Sequence, residues 1–358
     1  MKILLIRLRL IGDVVFTTPL LRALDRAFPN AHLAYLVERE AAAVVARNPH
    51  IDELIVVTRS RGWRRIADDV RLARRLRAAR FDIVLDLHGG PRSSWLARAT
   101  GAPQRVGYDV EGRSWLYTRT VYRPPGLHPR HSVANQWDLL DAIDGGPGVE
   151  PDPSRDPVEM PVDPFVARRI SQRLRDAGVE PHHALILVHV SAGNPFRRWP
   201  EPAFVRLIAA LAVADPLRRI LLSSGPSDRA AAMRIASGAR AELGSDRADR
   251  IVEFGEFDLA ELRALVERSS LFVGGDTGPL HIAATSRTPI VAIFGPTLAA
   301  RSAPWRDPRL PGESVEVEGL ACRPCDQRVC LPGDFRCLTT LSAEKVITAA
   351  ERALRRSA

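Results

Sequence analysis

Short apolar runs alternate with stretches of helical spacing along most of the chain. KILLIRL reads as a buried strand, and DVVFTTPLLRALDRAF as an amphipathic helix ended by Pro29-Asn30. HLAYLVE, ELIVVTR and FDIVLDLHG are further strands, separated by a helix over EAAAVVARN and a basic helix over 63–79. Continuous apolar strands between helices belong to a parallel sheet covered on both faces; a sheet with one wet face would alternate. The pattern stops at DGGPGVEPDPSRDPVEMPVDP, 144–164, which is dense in Pro, Gly and acid and has no period. That is linker composition. The pattern then restarts with a helix over 164–177 and the strand ALILVHV. RRILLSSG, LFVGGD and PIVAIFG are strands, while RAAAMRIASGA, LAELRALVERSS, PLHIAATSR and SAEKVITAAERALRR are helices.

The expectation is an α/β chain of two Rossmann-like parallel-sheet domains. The first covers 1–150, a linker 151–163, and the second 164–340. A closing helix, 341–358, is expected to pack back on the first domain. Open parallel sheets bind ligands at the carboxyl ends of their strands, so two such halves imply a shared central cleft.

Composition narrows the function classes. The length of 358 residues suits two domains, and a hydrophobic content of 46% supports real cores. No apolar run reaches the roughly 18 residues of a membrane span. MKILLIRLRL reads as a first strand, without the longer apolar region and cleavage site of a secretory signal. The expected location is cytoplasmic. The net charge of +9 is nearly all arginine, since only Lys2 and Lys345 are lysines. Arginine richness fits the base composition of a genome; beyond that it points to an anionic partner, whether nucleic acid, a phosphorylated sugar or a membrane surface. RSRGWRRIADDVRLARRLRAAR, 59–80, aligns Ile66, Val70, Ala73 and Leu76 on one helical face. A solvated or membrane-facing helix side fits that stretch better than nucleic acid. Four cysteines, Cys322, Cys325, Cys330 and Cys337, crowd one late segment. Their spacing is not that of a zinc ribbon, so reduced or redox-variable thiols are expected and no metal.

The turn after the first strand holds one glycine and one acid, Gly12 and Asp13. A phosphate loop would carry several glycines and no acid, so the G-x-G-x-x-G of a dehydrogenase is missing. The second half supplies what the first lacks. In LFVGGDTGPLHIAAT a strand ends at Gly274-Gly275, Asp276-Thr277-Gly278 turns, and Pro279 occupies the first helical position. Amides at such a helix start favour an anion. The Thr277 hydroxyl and His281 can add to it, whereas Asp276 suits a helix cap or sugar hydroxyls. HVSAGNPFRRWP places Ser191, Arg197 and Arg198 after a strand, and paired arginines suit a diphosphate. LLSSGPSDR places Asp228 where it can meet a ribose or cap a helix. Three such strand ends argue jointly for a nucleotide-diphosphate ligand.

With GDVVFTTPLLRALDRAFPNAHLAYLV, FDIVLDLHGGPRSSWLARATGAPQRVGYD, RRWP, GDTGPLHIAAT, PIVAIFGPT and the late CLTTLSAEKV, the chain resembles the lipopolysaccharide heptosyltransferases of glycosyltransferase family 9. The resemblance covers almost the whole chain. Its cysteine segment is similar to the branch that adds the second heptose. The resemblance implies a GT-B fold and an inverting transfer of heptose from ADP-heptose to the inner core of lipopolysaccharide. Asp13 matches the family's catalytic base. Arg197 matches the diphosphate-holding position, which is usually Lys. Ser191, Asp228, Phe257, Asp276, Thr277, Gly278 and His281 match donor-binding positions, with Phe257 packing on adenine. Gly12 and His131 match acceptor positions, and a frequently basic neighbour is Asn135 here. No cofactor is required on this reading, because arginine and backbone N–H groups can meet the charge on the leaving diphosphate. The implied partners are ADP-heptose, a core acceptor and, transiently, the inner leaflet, with the protein at the periphery of the inner membrane. The alternatives are a relative using another sugar nucleotide or a later core or O-chain acceptor, and a nucleic-acid- or sugar-nucleotide-binding protein without activity.

Overall fold

The computed structural model describes residues 1–58, 62–123 and 128–356. Two compact units divide between Pro161 and Val162. The first holds six parallel strands: β1 (Lys2–Ile6), β2 (His32–Glu38), β3 (Glu53–Val57), β4 (Ile83–Asp86), β5 (Gln104–Tyr108) and β6 (Arg119–Val121). The second holds β7 (Ala184–His189), β8 (Arg218–Ser223), β9 (Ile251–Val252), β10 (Leu271–Gly275), β11 (Ile290–Phe294) and β12 (Gly312–Glu316). Their orders are β3-β2-β1-β4-β5-β6 and β12-β11-β10-β7-β8-β9. Counted from its own first strand, the second sheet repeats the order of the first. This is the doubly wound arrangement, whose ligand-binding crevice lies where the order reverses. In the first unit that point lies between β1 and β4, where Ile6 pairs with Asp86. In the second it lies between β7 and β10, where His189 pairs with Gly274.

The eight strands with continuous apolar runs lie where the pattern places them. Leu4, Ile6, Leu36 and Val84 are buried in one core, and Ile186, Val188, Val273 and Val291 in the other. β5, β6, β9 and β12 are short or polar and give no such signal. The stretch expected to be one helix after β1 is two, Ile11–Val15 and Thr18–Ala27. Thr17 and Thr18 donate their hydroxyls to the Val14 and Val15 carbonyls at 2.7 and 2.8 Å, and Pro19 restarts the helix as a first-turn residue.

Three expectations change. The closing helix Ala343–Arg355 spends its apolar face on the second unit, because Val346, Ala349, Ala350 and Ala353 lie in that core. Residues 151–163 are not a loose linker. Asp156 is fully buried and pairs with Arg26 at 2.6 Å. Glu159 pairs with Arg22 at 2.8 Å, and its amide donates to Thr18 Oγ1. The acids that resemble solvated linker are counterions for the arginines of helix Thr18–Ala27. On the helix Gly62–Ala79 the buried face is Leu72, Ala73 and Leu76, whereas Ile66 and Val70 are exposed together with Trp63. Residues 59–61 of that basic stretch lie outside the described residues. Among the described residues no helix is long and apolar enough to cross a membrane.

Candidate active site

At the reversal point of the first sheet, β1 runs directly into Arg7. This arginine is buried, donates through Nη1 to the Leu87 carbonyl beyond β4, and pairs through Nη2 with the Asp13 carboxylate. The side chains are 5% and 31% exposed, so the arginine is the inner member and the acid the outer one. Asp13 sits in the first turn of helix Ile11–Val15, a position that favours negative charge. The chain turns into that helix on Leu10, at φ 71°, and not on Gly12, which lies within the helix. A left-handed leucine is locally strained and marks a backbone over-determined by its surroundings.

β4 ends at Asp86, which accepts from the Tyr117 hydroxyl at 2.7 Å and from the amides of His88 and Gly89 at 3.0 Å. Burial pushes the Asp86 carboxyl up, against the pull of those hydrogen bonds. His88 is held down to about 4 by burial, then by the cations of Arg7 and Arg9. It is therefore a neutral imidazole at pH 7. His131 caps helix Ser132–Asp141, its Nδ1 accepting the Val133 N–H at 3.1 Å, and its ring meets Phe16 edge-on at 5.1 Å. That contact brings it beside the segment carrying Asp13. The Asn135 side chain accepts from Arg130 at 3.4 Å.

At the reversal point of the second sheet the loops after β7 and β10 interlock. Asp276 is buried, and both its oxygens are in use. Oδ2 accepts from Thr297 Oγ1 at 2.7 Å and pairs with Arg197 Nη1 at 3.0 Å, while Oδ1 lies 3.4 Å from His281 Nε2. Burial alone would raise this carboxyl, but His281, Arg197 and Thr297 together hold it at about 2. Arg197 also donates from Nη1 to the Asp276 carbonyl at 2.9 Å and from Nε to Gln327 Oε1 at 2.7 Å. Asp276 neither caps the helix nor keeps an open oxygen for a sugar; it organises Arg197 and His281. Thr277 precedes the helix Gly278–Ala284 with extended backbone and donates its hydroxyl to the Gly275 carbonyl at 3.2 Å. Gly278 is the first residue of that helix.

The two arginines of RRWP do not act as a pair. Arg198 turns away from its neighbour to Asp228 at 2.8 Å and to the Ala192 carbonyl at 3.0 Å. Asp228 is buried and also accepts from the Ser191 hydroxyl at 2.5 Å. Asp228 and Ser191 thus lock the β7 and β8 loops together, and Asp228 makes no side-chain cap to the helix behind it. Phe257 lies after β9, half-buried and edge-on to Phe254 at 6.1 Å. The Arg229–Glu256 pair, at 2.7 Å, links its loop to the Asp228 loop. The cysteines carry no disulfide, and among the described residues no cluster of three or more His, Cys, Asp or Glu is placed to hold a metal ion.

Sequence reasoning missed Arg7, Asp86, His88, Thr297 and Gln327. Asp86 had a readable signal, a charge at the end of an apolar strand, whereas Arg7 at the end of β1 reads as solvated. Gln327 had none.

A family profile described as "Glycosyltransferase family 9 (heptosyltransferase)" matches residues 70–331. The chain is 26% identical over 305 residues to lipopolysaccharide heptosyltransferase 3 of Escherichia coli, covering 83% of this chain and 84% of the relative. Among solved structures, a family 9 glycosyl transferase of Veillonella parvula aligns with a TM-score of 0.82 at 24% identity, over 99% of this chain and 97% of that one. The ADP-heptose lipopolysaccharide heptosyltransferase II of E. coli aligns at 0.76 and 20% identity, over 99% of both chains. The two six-stranded parallel sheets and these likenesses give the GT-B fold.

Proposed function

The chain belongs to glycosyltransferase family 9 (heptosyltransferase), and from that premise we propose that it transfers heptose from ADP-heptose to the inner core of lipopolysaccharide, with inversion and with Asp13 as general base. An acceptor hydroxyl oxygen bonds to the anomeric carbon as the bond from that carbon to the diphosphate oxygen breaks. Negative charge grows on the leaving ADP, and the attacking hydroxyl must lose its proton. Fixed cations answer the first need and a carboxylate the second.

The observation that carries this reading is Arg197, anchored by Asp276 and Gln327 at the reversal point of the second sheet. A guanidinium held on two sides meets a diphosphate without reorganising. His281 and the amides at the start of helix Gly278–Ala284 reinforce it. With that charge work done by the chain itself, the reaction is proposed to need no cofactor. On the acceptor side Arg7 pairs with the Asp13 carboxylate and orients it. A carboxylate is a weak base, but the hydroxyl becomes acidic as its bond to carbon forms, so the proton can leave late. Arg197 and Asn135, where the resemblance leads one to expect lysine and a basic residue, favour a second reading of the substrates alone: another sugar nucleotide, or a later core or O-chain acceptor.

The test is ADP release by the purified protein with ADP-heptose and a panel of truncated lipopolysaccharides. Release with one acceptor supports the proposal and identifies that acceptor. No turnover of ADP-heptose with any of them removes the donor, and full activity of Asp13→Ala removes the base. Because the proposed acceptor is a lipid, we place the protein at the cytoplasmic periphery of the inner membrane. The exposed Trp63 and Ile66 on an arginine-rich helix form the docking surface. Vesicles containing anionic lipid should bind the protein at low salt; failure to bind would discard the contact.

A further inference from the structure

In the late cysteine segment, Gln327 reaches the arginine of the donor side of the second unit. Its Oε1 accepts from Arg197 Nε at 2.7 Å and from Asn194 Nδ2 at 2.9 Å. Asn194 in turn accepts the Phe196 amide at 3.0 Å, which locks the loop carrying Arg197. The segment is pinned at the same place by two further bonds. Arg323 Nη2 donates to the Thr297 carbonyl at 2.7 Å, and the Cys325 amide to the Pro296 carbonyl at 3.3 Å. Thr297 is the residue whose hydroxyl holds Asp276. Gln327 itself has a left-handed backbone, φ 61°, an uncommon conformation for a glutamine. Such strain persists where the surroundings require one side-chain placement.

The bonds divide the guanidinium of Arg197. Nε is taken by Gln327 and Nη1 by Asp276, and among the described residues Nη2 takes no hydrogen bond. We propose that Gln327 is a positioning residue of the donor site, fixing Arg197 so that its Nη2 hydrogens are the ones offered to the diphosphate of the sugar nucleotide. The inference rests on the donor reading above and assigns the cysteine segment a role in it. A neutral acceptor suits this task. It orients the guanidinium without cancelling the positive charge that a second carboxylate beside Asp276 would offset.

The experiment measures ADP and adenosine binding to the full-length protein by calorimetry and ligand-observed NMR. Gln327→Met keeps the side-chain length and removes the acceptor. It should weaken ADP about tenfold, as expected for one bond to a charged group, and leave adenosine unchanged, because Arg197 acts on phosphate. In an Arg197→Ala background the same change should cost nothing more. Unchanged ADP affinity, equal losses for ADP and adenosine, or a full loss on top of Arg197→Ala would each overturn the proposal. If the melting temperature of Gln327→Met falls, Gln327→Asn, one methylene too short to reach, carries the same expectations. UDP and GDP replace ADP if the wild type prefers one of them. A wild type that binds no nucleoside diphosphate, or an Arg197→Ala that binds it as well as wild type, overturns the donor reading and this proposal together. A silent Gln327→Met beside a weakened Arg197→Ala overturns this proposal alone.

Discussion

Each unit carries an arginine–aspartate pair at the reversal point of its sheet, and the two pairs are turned inside out relative to each other. In the first unit Arg7 is 5% exposed and Asp13 31%. In the second Arg197 is 30% exposed and Asp276 4%. The inner member is tied down by other groups, Arg7 by a carbonyl and Asp276 by Thr297 and His281. The outer member is the one exposed to solvent. On the proposed function, one strand order supports two chemistries, a proton acceptor in one unit and an anion holder in the other. The choice depends on which partner the core keeps.

Breaking the pairs one residue at a time should separate these roles. Asp13→Ala should have the largest effect, a loss of kcat of about 10²- to 10⁴-fold with nucleotide affinity unchanged, the range for removing a general base. Steady-state ADP release beside calorimetry checks it; a weakened nucleotide in this variant would contradict the division. Arg197→Ala should raise the KM for the sugar nucleotide about 10- to 100-fold, the loss of charge-assisted bonds. Arg7→Met leaves the carboxylate in place but frees it, so kcat should fall about tenfold at near-constant KM.

The smallest effect concerns pH. Each unit has a histidine near the end of a central strand held down to about 4, His88 and the buried His189, whose Nδ1 meets Ser223 Oγ at 2.8 Å. Burial is the first cause in both. An unfolded histidine titrates near 6.5 and so binds protons before the folded one does. Stability is then complete above pH 6.5 and is lost as pH falls from there toward 4. His189→Gln should flatten the drop in melting temperature across that window, which thermal melts from pH 8 to 4 would show. Asp276, held at about 2, acts only lower down: its contribution is present above about pH 4 and fades toward 2.

Much of this architecture was legible because a strand buried on both faces has to be written in apolar residues. β6, β9 and β12 escaped notice because they are edge strands with little core to fill. Asp13, Arg197, Asp276 and His281 stood out as polar groups next to strand ends. Their partners did not. An arginine at the end of β1 reads as solvated until its burial is seen. The bond from Arg197 to Gln327 joins positions 130 residues apart, which no local pattern encodes. Composition also misled. The acids of 151–163 resemble linker because pattern reading cannot tell a solvated carboxylate from one neutralised by a distant arginine.

That acid-rich segment alters how the chain can be cut. A protease cuts pliable, exposed backbone, which a Pro/Gly/acid stretch would normally provide. Here the backbone around Asp156, Val158 and Met160 is buried or bonded, while 148–150 is exposed. The susceptible seam is therefore shorter than composition implies and lies ahead of the segment. A first-unit fragment ended at residue 150 would strip Arg22 and Arg26 of their counterions, so the natural cut falls after Pro161.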